Sequence, residues 1–130
     1  MSQVPALATA NIRGTINTLL ASGARNLLVM NSPDLGKVPA FLGSPLATTV
    51  SQISTSFNGL LEAEVASLAA ANPQADIDLF RLDQTLNAVI NNPAAYGIVN
   101  VNQPCFSPTS MTVCANPSQY LFWDALHPTT

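Results

Sequence analysis

Basic residues are nearly missing from this chain. Arg13, Arg25, Lys37 and Arg81 are the whole set in 130 residues; with seven acids they bring the charged fraction to 8% and the net charge to -3, where about a quarter charged is ordinary. Binding a phosphate backbone takes a clustered basic face, so nucleic acid is excluded as a partner. A polybasic membrane-surface segment is excluded on the same ground. Long apolar runs are missing too. The strongest, Leu27-Leu28-Val29-Met30, falls far short of the roughly 18 residues a membrane helix needs, so no stable membrane span is expected. The first ten residues, MSQVPALATA, lack the basic start and apolar core of a secretory signal; export would be signalled elsewhere, or by a beginning the chain lacks. Metal and cofactor chemistry finds no footing. Two cysteines and one histidine make no zinc set. Asp76, Asp78 and Asp83 lack the Asp-x-Asp-x-Asp-Gly loop and distal Glu of a calcium site, and no glycine run cradles a phosphate. No cofactor is therefore expected.

What is present is apolar material, 48% of the chain, which argues against disorder. Pro5 to Ser22 places Leu7, Ile12, Ile16, Leu19 and Leu20 on one helical face, with Gly23 as its stop. Arg25 to Asn31 reads as a strand whose apolar residues run in succession, the pattern of a strand covered on both faces in a parallel sheet. A turn at Pro33-Asp34-Leu35-Gly36 and a loop marked by Pro39 and Pro45 follow. Thr48 to Ala71 is the clearest helix, with Val50, Ile53, Phe57, Leu60, Leu61, Val65 and Leu68 at helical intervals. Glu62 and Glu64 lie off that stripe, two apart and so pointing in different directions; a solvated face is expected there rather than a paired acid–base site. Ala75 to Phe80 alternates, Ile77 and Leu79 against Asp76, Asp78 and Phe80, as a second strand with an exposed side. Leu82 to Ile90 is a third helix, and Tyr96 to Asn100 reads as extended. Helix, strand, helix, strand, helix is the order of a layered α/β fold with a parallel sheet. Two or three strands are too few for such a sheet to stand alone, so the chain reads as half of a domain.

Cys105 and Cys114 bracket a Pro/Ser/Asn-rich loop with eight residues between them. A disulfide there would contribute about 2–3 kcal/mol; two free buried thiols are the alternative. The sole histidine, His127, follows Asp124 by three positions, close enough for the carboxylate to reach Nδ1, fix the tautomer and stabilise the imidazolium. An Asp-x-x-His is by itself more often a surface turn with a local hydrogen bond. Ser32, Ser44 and Ser107 sit in loops without a strand-to-helix elbow to expose a nucleophile. Cys105 lacks the basic surroundings a thiolate nucleophile needs.

The wider string Trp123-Asp124-Ala125-Leu126-His127-Pro128-Thr129 resembles the terminal Asp-x-x-His-Pro block of the GDSL, or SGNH, family of esterases and lipases. The likeness extends through Gly23-Ala24-Arg25 to Val29, Asn31 to Gly36 with Pro39, Ser56-Phe57-Asn58 with Leu60-Leu61, Asp78-Leu79-Phe80 and the cysteine loop, from about Asn11 to Thr129. It implies an α/β three-layer, flavodoxin-like sandwich with a parallel sheet, present here in part. It also implies an ester or lipid substrate, His127 as general base toward a serine, and Asp124 orienting His127. The family's Gly-Asp-Ser-Leu nucleophile string is not found in this chain, and its oxyanion-hole glycine and Gly-x-Asn-Asp asparagine belong upstream of the matching region. Residues 1–130 are thus expected to be the C-terminal part of a single hydrolase domain, cut at both ends and inactive alone. The rival expectation is a non-enzymatic module that self-associates, or pairs with a partner or its missing N-terminal half, through an exposed sheet edge. Low lysine content, a disulfide and the resemblance together lean toward a secreted, periplasmic or cell-surface location.

Overall fold

The computed structural model describes residues 3–129. The chain forms two compact units, one comprising the chain up to Pro33 with Gln52–Asp83, the other Asp34–Ser51 with the chain from Gln84 onward.

The first unit opens with α1 (Val4–Ala21), where Pro5 occupies the first turn, a position that has no intrahelical N–H bond to lose. The helix stops as its sequence requires. Gly23 takes a φ of +99°, and the Gly23 and Ala24 amides donate back to the carbonyls of Leu20 and Leu19, closing the last turn. Strand β1 (Asn26–Met30) follows, then α2 (Ala47–Ala71) and β2 (Asp76–Phe80). β1 and β2 pair in parallel, Leu27 opposite Ile77 and Val29 opposite Leu79. Ile77 joins Ile16, Leu61, Val65 and Leu68 in the core, and Leu27, Val29 and Leu79 pack against it with Ile12, Leu20 and Phe57.

The expectation that β1 is covered on both faces is corrected. Alternate strand residues point to opposite faces, and both helices of this core meet the side bearing Leu27 and Val29. On the other side Leu28 and Met30 remain 70% and 55% exposed. β2 alternates as expected, with Ile77 buried and Asp76, Asp78 and Phe80 exposed. The acids of α2 also differ from expectation. Glu62 is ion-paired and hydrogen-bonded to Arg81, and Glu64 sits 3.3 Å from Arg13 Nε with its side chain only 18% exposed. The two carboxylates do diverge, but each meets an arginine rather than water alone.

Beyond β1, the buried Asn31 side chain donates to Asp83 Oδ1 at 2.7 Å and accepts the Asp83 amide at 3.1 Å. Ser32 exchanges a similar pair with Asn58, its amide donating to Oδ1 at 2.9 Å and its carbonyl accepting from Nδ2 at 2.8 Å. The Asn58 pair satisfies main-chain groups just past the end of the strand, and Asn31 Oδ1 takes up an amide of the first turn of the helix that begins at Leu82.

In the second unit, α3 (Leu82–Asn91) turns Leu86, Val89 and Ile90 toward a core of Val38, Leu121 and Phe122. The expected extended segment from Tyr96 to Asn100 starts later than expected, because Tyr96 still belongs to a 3-10 turn, Pro93–Tyr96. Proline opens it and Gly97, at φ +71°, closes it with its amide on the Ala94 carbonyl. The strand, β3, starts only at Asn100 and runs Asn100–Pro104. It lies parallel to β6 (Tyr120–Phe122), with a register shift between the Asn100–Tyr120 and Pro104–Phe122 pairs. Between them, β4 (Phe106–Ser107) and β5 (Thr112–Val113) form a short antiparallel hairpin. Earlier in this unit Asp34 accepts from the Gly36 amide at 3.1 Å and the Ser51 hydroxyl at 2.6 Å. A Cβ at Gly36 would collide with that hydroxyl and with the Ala47 carbonyl, so only glycine fits.

Candidate active site

β6 delivers the chain to the site. Leu121 and Phe122 are buried and anchor the strand, and the four residues after it form a run of bends. Oδ1 of Asp124 accepts the amides of Leu126 at 2.8 Å and His127 at 2.7 Å. This is a side-chain-closed turn, the local structure for which aspartate is favoured. It swings the imidazole back over the same carboxylate, with Nδ1 at 2.8 Å from Oδ2 and 3.0 Å from Oδ1.

The loop is then closed by its own main chain. The Trp123 amide donates to the His127 carbonyl at 2.8 Å and the Thr129 amide to the Leu121 carbonyl at 3.0 Å. Pro128 bridges antiparallel to Phe122, and the Thr129 hydroxyl bonds the Tyr120 carbonyl. From the other side, the Ala40 amide donates to the Ala125 carbonyl at 2.9 Å.

The electrostatics follow from these bonds. The His127 amide first, then the Leu126 amide and the imidazole, hold the Asp124 carboxyl down to about 2 from its ordinary 3.8, because each donor stabilises the ionised form. An ionised carboxylate can only accept. The proton between the two side chains therefore resides on Nδ1, which leaves the lone pair of the neutral ring on Nε2. The imidazole is 74% exposed, and Nε2 carries no hydrogen bond from a described residue. The pair can take a proton from an approaching hydroxyl and return it.

A cleft of about 610 Å³ adjoins the loop, lined by Pro117, Ser118, Trp123, Pro128 and Thr129. Trp123 stacks on Phe106 with the rings nearly parallel, 8° apart, and their centroids separated by 5.8 Å.

Of the residues singled out in the sequence, Asp124 and His127 are brought together and Cys105 is bonded to Cys114. The serines make local bonds: Ser32 to the Pro33 carbonyl, Ser44 to the Leu46 amide, Ser107 to the Ser110 amide. Among the described residues no group of three His, Cys, Asp or Glu side chains could hold a metal, and no helix is long and apolar enough to cross a membrane. The sequence reading missed the Phe106–Trp123 stack, the Thr129 latch and the Ala40 contact. Only Thr129, two residues beyond the histidine, had a local signal.

The chain matches the family described as GDSL-like lipase/acylhydrolase over residues 2–130. Two GDSL esterase/lipases of Arabidopsis thaliana are 34% and 32% identical to it, each over 120 residues that cover 90% and 87% of this chain. Esterase EstA of Pseudomonas aeruginosa is 34% identical over 118 residues, 82% of this chain. The chain spans 35% of the length of each plant protein and 18% of the bacterial one.

Proposed function

The chain belongs to the GDSL-like lipase/acylhydrolase family, and from that premise we propose that it supplies the proton-handling arm of a serine ester hydrolase. His127 is the general base and Asp124 the residue that orients it. The observation that carries this reading is the contact of His127 Nδ1 with both oxygens of Asp124, at 3.0 and 2.8 Å, beneath an otherwise exposed ring.

The chemistry runs in two proton cycles. A serine hydroxyl attacks the carbonyl carbon of a carboxylic ester as its proton passes to Nε2 of His127. The tetrahedral intermediate then expels the alcohol, which leaves with that proton, and the acyl group stays on the serine. Water attacks the acyl-enzyme, again giving its proton to Nε2, and the acid departs as the serine regains a proton from the ring. Through both cycles Asp124 keeps Nδ1 protonated and balances the imidazolium.

The serine and the oxyanion donors belong, in this proposal, to another part of the same hydrolase domain, of which this chain is the C-terminal portion. Two facts support that division: no Gly-Asp-Ser string occurs in the sequence, and the chain spans about a third of the plant relatives it matches. The substrate is a carboxylic ester, lipid esters included. The Cys105–Cys114 disulfide favours a location outside the reducing cytoplasm.

Alone, the chain should hydrolyse a short p-nitrophenyl ester no faster than buffer. United with the serine-bearing part it should turn the ester over, and His127→Ala should cut that rate by on the order of 10³-fold or more. Hydrolysis by the isolated chain that disappears in His127→Ala would refute the division. Undiminished turnover by the variant complete enzyme would refute the role of His127.

A second reading has an observation of its own. β1 and β2 form a two-stranded sheet whose outer side carries Leu28, Met30 and Phe80, which suits a module that pairs through its sheet.

A further inference from the structure

We infer that the disulfide-closed hairpin carrying β4 and β5 is a positioning element for His127, and that Phe106 is the residue through which it acts. The inference rests on the reading of His127 as the proton carrier. His127 stands on a loop with 74% of its side chain exposed, so packing around the ring does not fix its direction. Its orientation depends on Asp124 and on the main chain that bears both residues.

That main chain is tied to the hairpin step by step. The Cys105 amide donates to the Phe122 carbonyl at 2.9 Å, and the Phe106 amide to the Trp123 carbonyl at 2.7 Å. The Phe106 ring lies flat against Trp123. The Trp123 amide in turn holds the His127 carbonyl at 2.8 Å. Phe106 therefore grips the residue before Asp124 through both its amide and its ring, and that same residue clasps His127.

The hairpin is too short to hold this grip unaided. β4 and β5 are two residues each, and isolated two-stranded hairpins are marginal even when longer. Two links supplement the pairing, the Cys105–Cys114 bond and the Cys114 amide on the Cys105 carbonyl at 2.8 Å. Together they close the base of the hairpin beside Phe106. Cys105 itself is buried, so the closed end is the fixed end. The disulfide thus holds β4, β4 holds Trp123, and Trp123 holds the Asp124–His127 turn. Phe106 acts through Trp123 and so is a positioning residue.

Because His127 is the only histidine, long-range proton–nitrogen correlation in the NMR spectrum of the chain reads its tautomer without ambiguity. In alkaline buffer the wild-type ring should be held mainly in the Nδ1–H form. Phe106→Ala should lower the Nδ1–H to Nε2–H ratio by roughly two- to tenfold, the range an aromatic pair is worth. Phe106→Tyr, which keeps a stackable ring, should restore it. The double variant Cys105→Ala/Cys114→Ala should lower the ratio in the same direction, with unchanged amide signals of Leu86, Val89 and Ile90 showing that the core of the second unit stays folded. An unchanged ratio in Phe106→Ala would overturn the inference and leave the proposed function standing. Lack of the Nδ1–H form in the wild-type chain would overturn both, because the Asp124–His127 pair would then not exist in solution.

Discussion

Asp124 receives three N–H groups within four residues of chain: the amides of Leu126 and His127 on Oδ1 and the ring nitrogen of His127 against both oxygens. Two consequences separate at this scale. The amide bonds shape the turn, while the charge and the second oxygen hold the ring. Asp124→Asn keeps an acceptor for the amides but loses the charge, so the turn should persist while the hold on Nδ1–H weakens. The sign of the pH dependence follows from the direction of the shift. A carboxyl lowered from 3.8 to about 2 in the folded chain stabilises the fold fully above its unfolded value, and that contribution is lost as the pH falls through the folded one. The stability difference between wild type and Asp124→Asn should therefore shrink as the pH falls from about 4 to about 2. The side-chain carboxyl carbon of Asp124, followed by NMR, should titrate near the lower value; a midpoint at the ordinary 3.8 would show that the amide bonds do not form in solution. The pair was legible in the sequence because an aspartate reaches three residues ahead without help from the rest of the fold. The Asn31–Asp83 exchange, between residues 52 apart, was not, since nothing local to either residue specifies the other.

Among elements, α2 shows how far periodicity carries and where it stops. Its stripe includes both Leu60 and Leu61, yet successive helical residues lie about 100° apart around the axis, and only one can face the core. Leu61 is fully buried while Leu60 is 43% exposed. Leu61→Ala should destabilise the chain by about 2–5 kcal/mol, through lost burial and the cavity left behind. Leu60→Ala should cost less than about 1 kcal/mol. Urea unfolding followed by helical circular dichroism would compare the two, and equal losses would mean that the helix is rotated from the orientation described. The stop at Gly23 was legible because glycine enters the left-handed region without steric cost. The covering of β1 was not. Leu27 to Met30 are apolar at every position, so the run reads the same whether one face is covered or two, and only the placement of α1 and α2 decides. The turn closed by Gly97 was misread for the opposite reason. Tyr, Ile and Val around it favour extended chain, but a proline opening and a left-handed glycine closing outweigh that preference.

At the scale of the whole molecule, low charge and an uncovered sheet face act together. The outer side of the first unit's sheet sets Leu28 beside Asp78 and Met30 beside Phe80, and those three apolar residues are 70%, 55% and 40% exposed. Parallel sheets are almost always covered on both faces, and a two-stranded sheet also leaves two edges whose amides and carbonyls await pairing. A net charge of only -3 over 130 residues opposes association weakly. The chain should therefore self-associate at micromolar concentration. Leu28→Glu tests the surface directly. The position is exposed, so the change should alter folding stability by no more than about 0.5 kcal/mol, yet it places a second acid beside Asp78, whose repulsion and desolvation oppose burial of the face. Sedimentation velocity should show wild-type species larger than the monomer and a shift toward monomer in Leu28→Glu, with both chains retaining the same circular dichroism. A wild-type chain that sediments as a monomer throughout the micromolar range would refute association. Undiminished association of the variant would place the contact elsewhere than on this face, leaving the sheet edges, which Leu28→Glu does not alter, as the surface through which the copies pair.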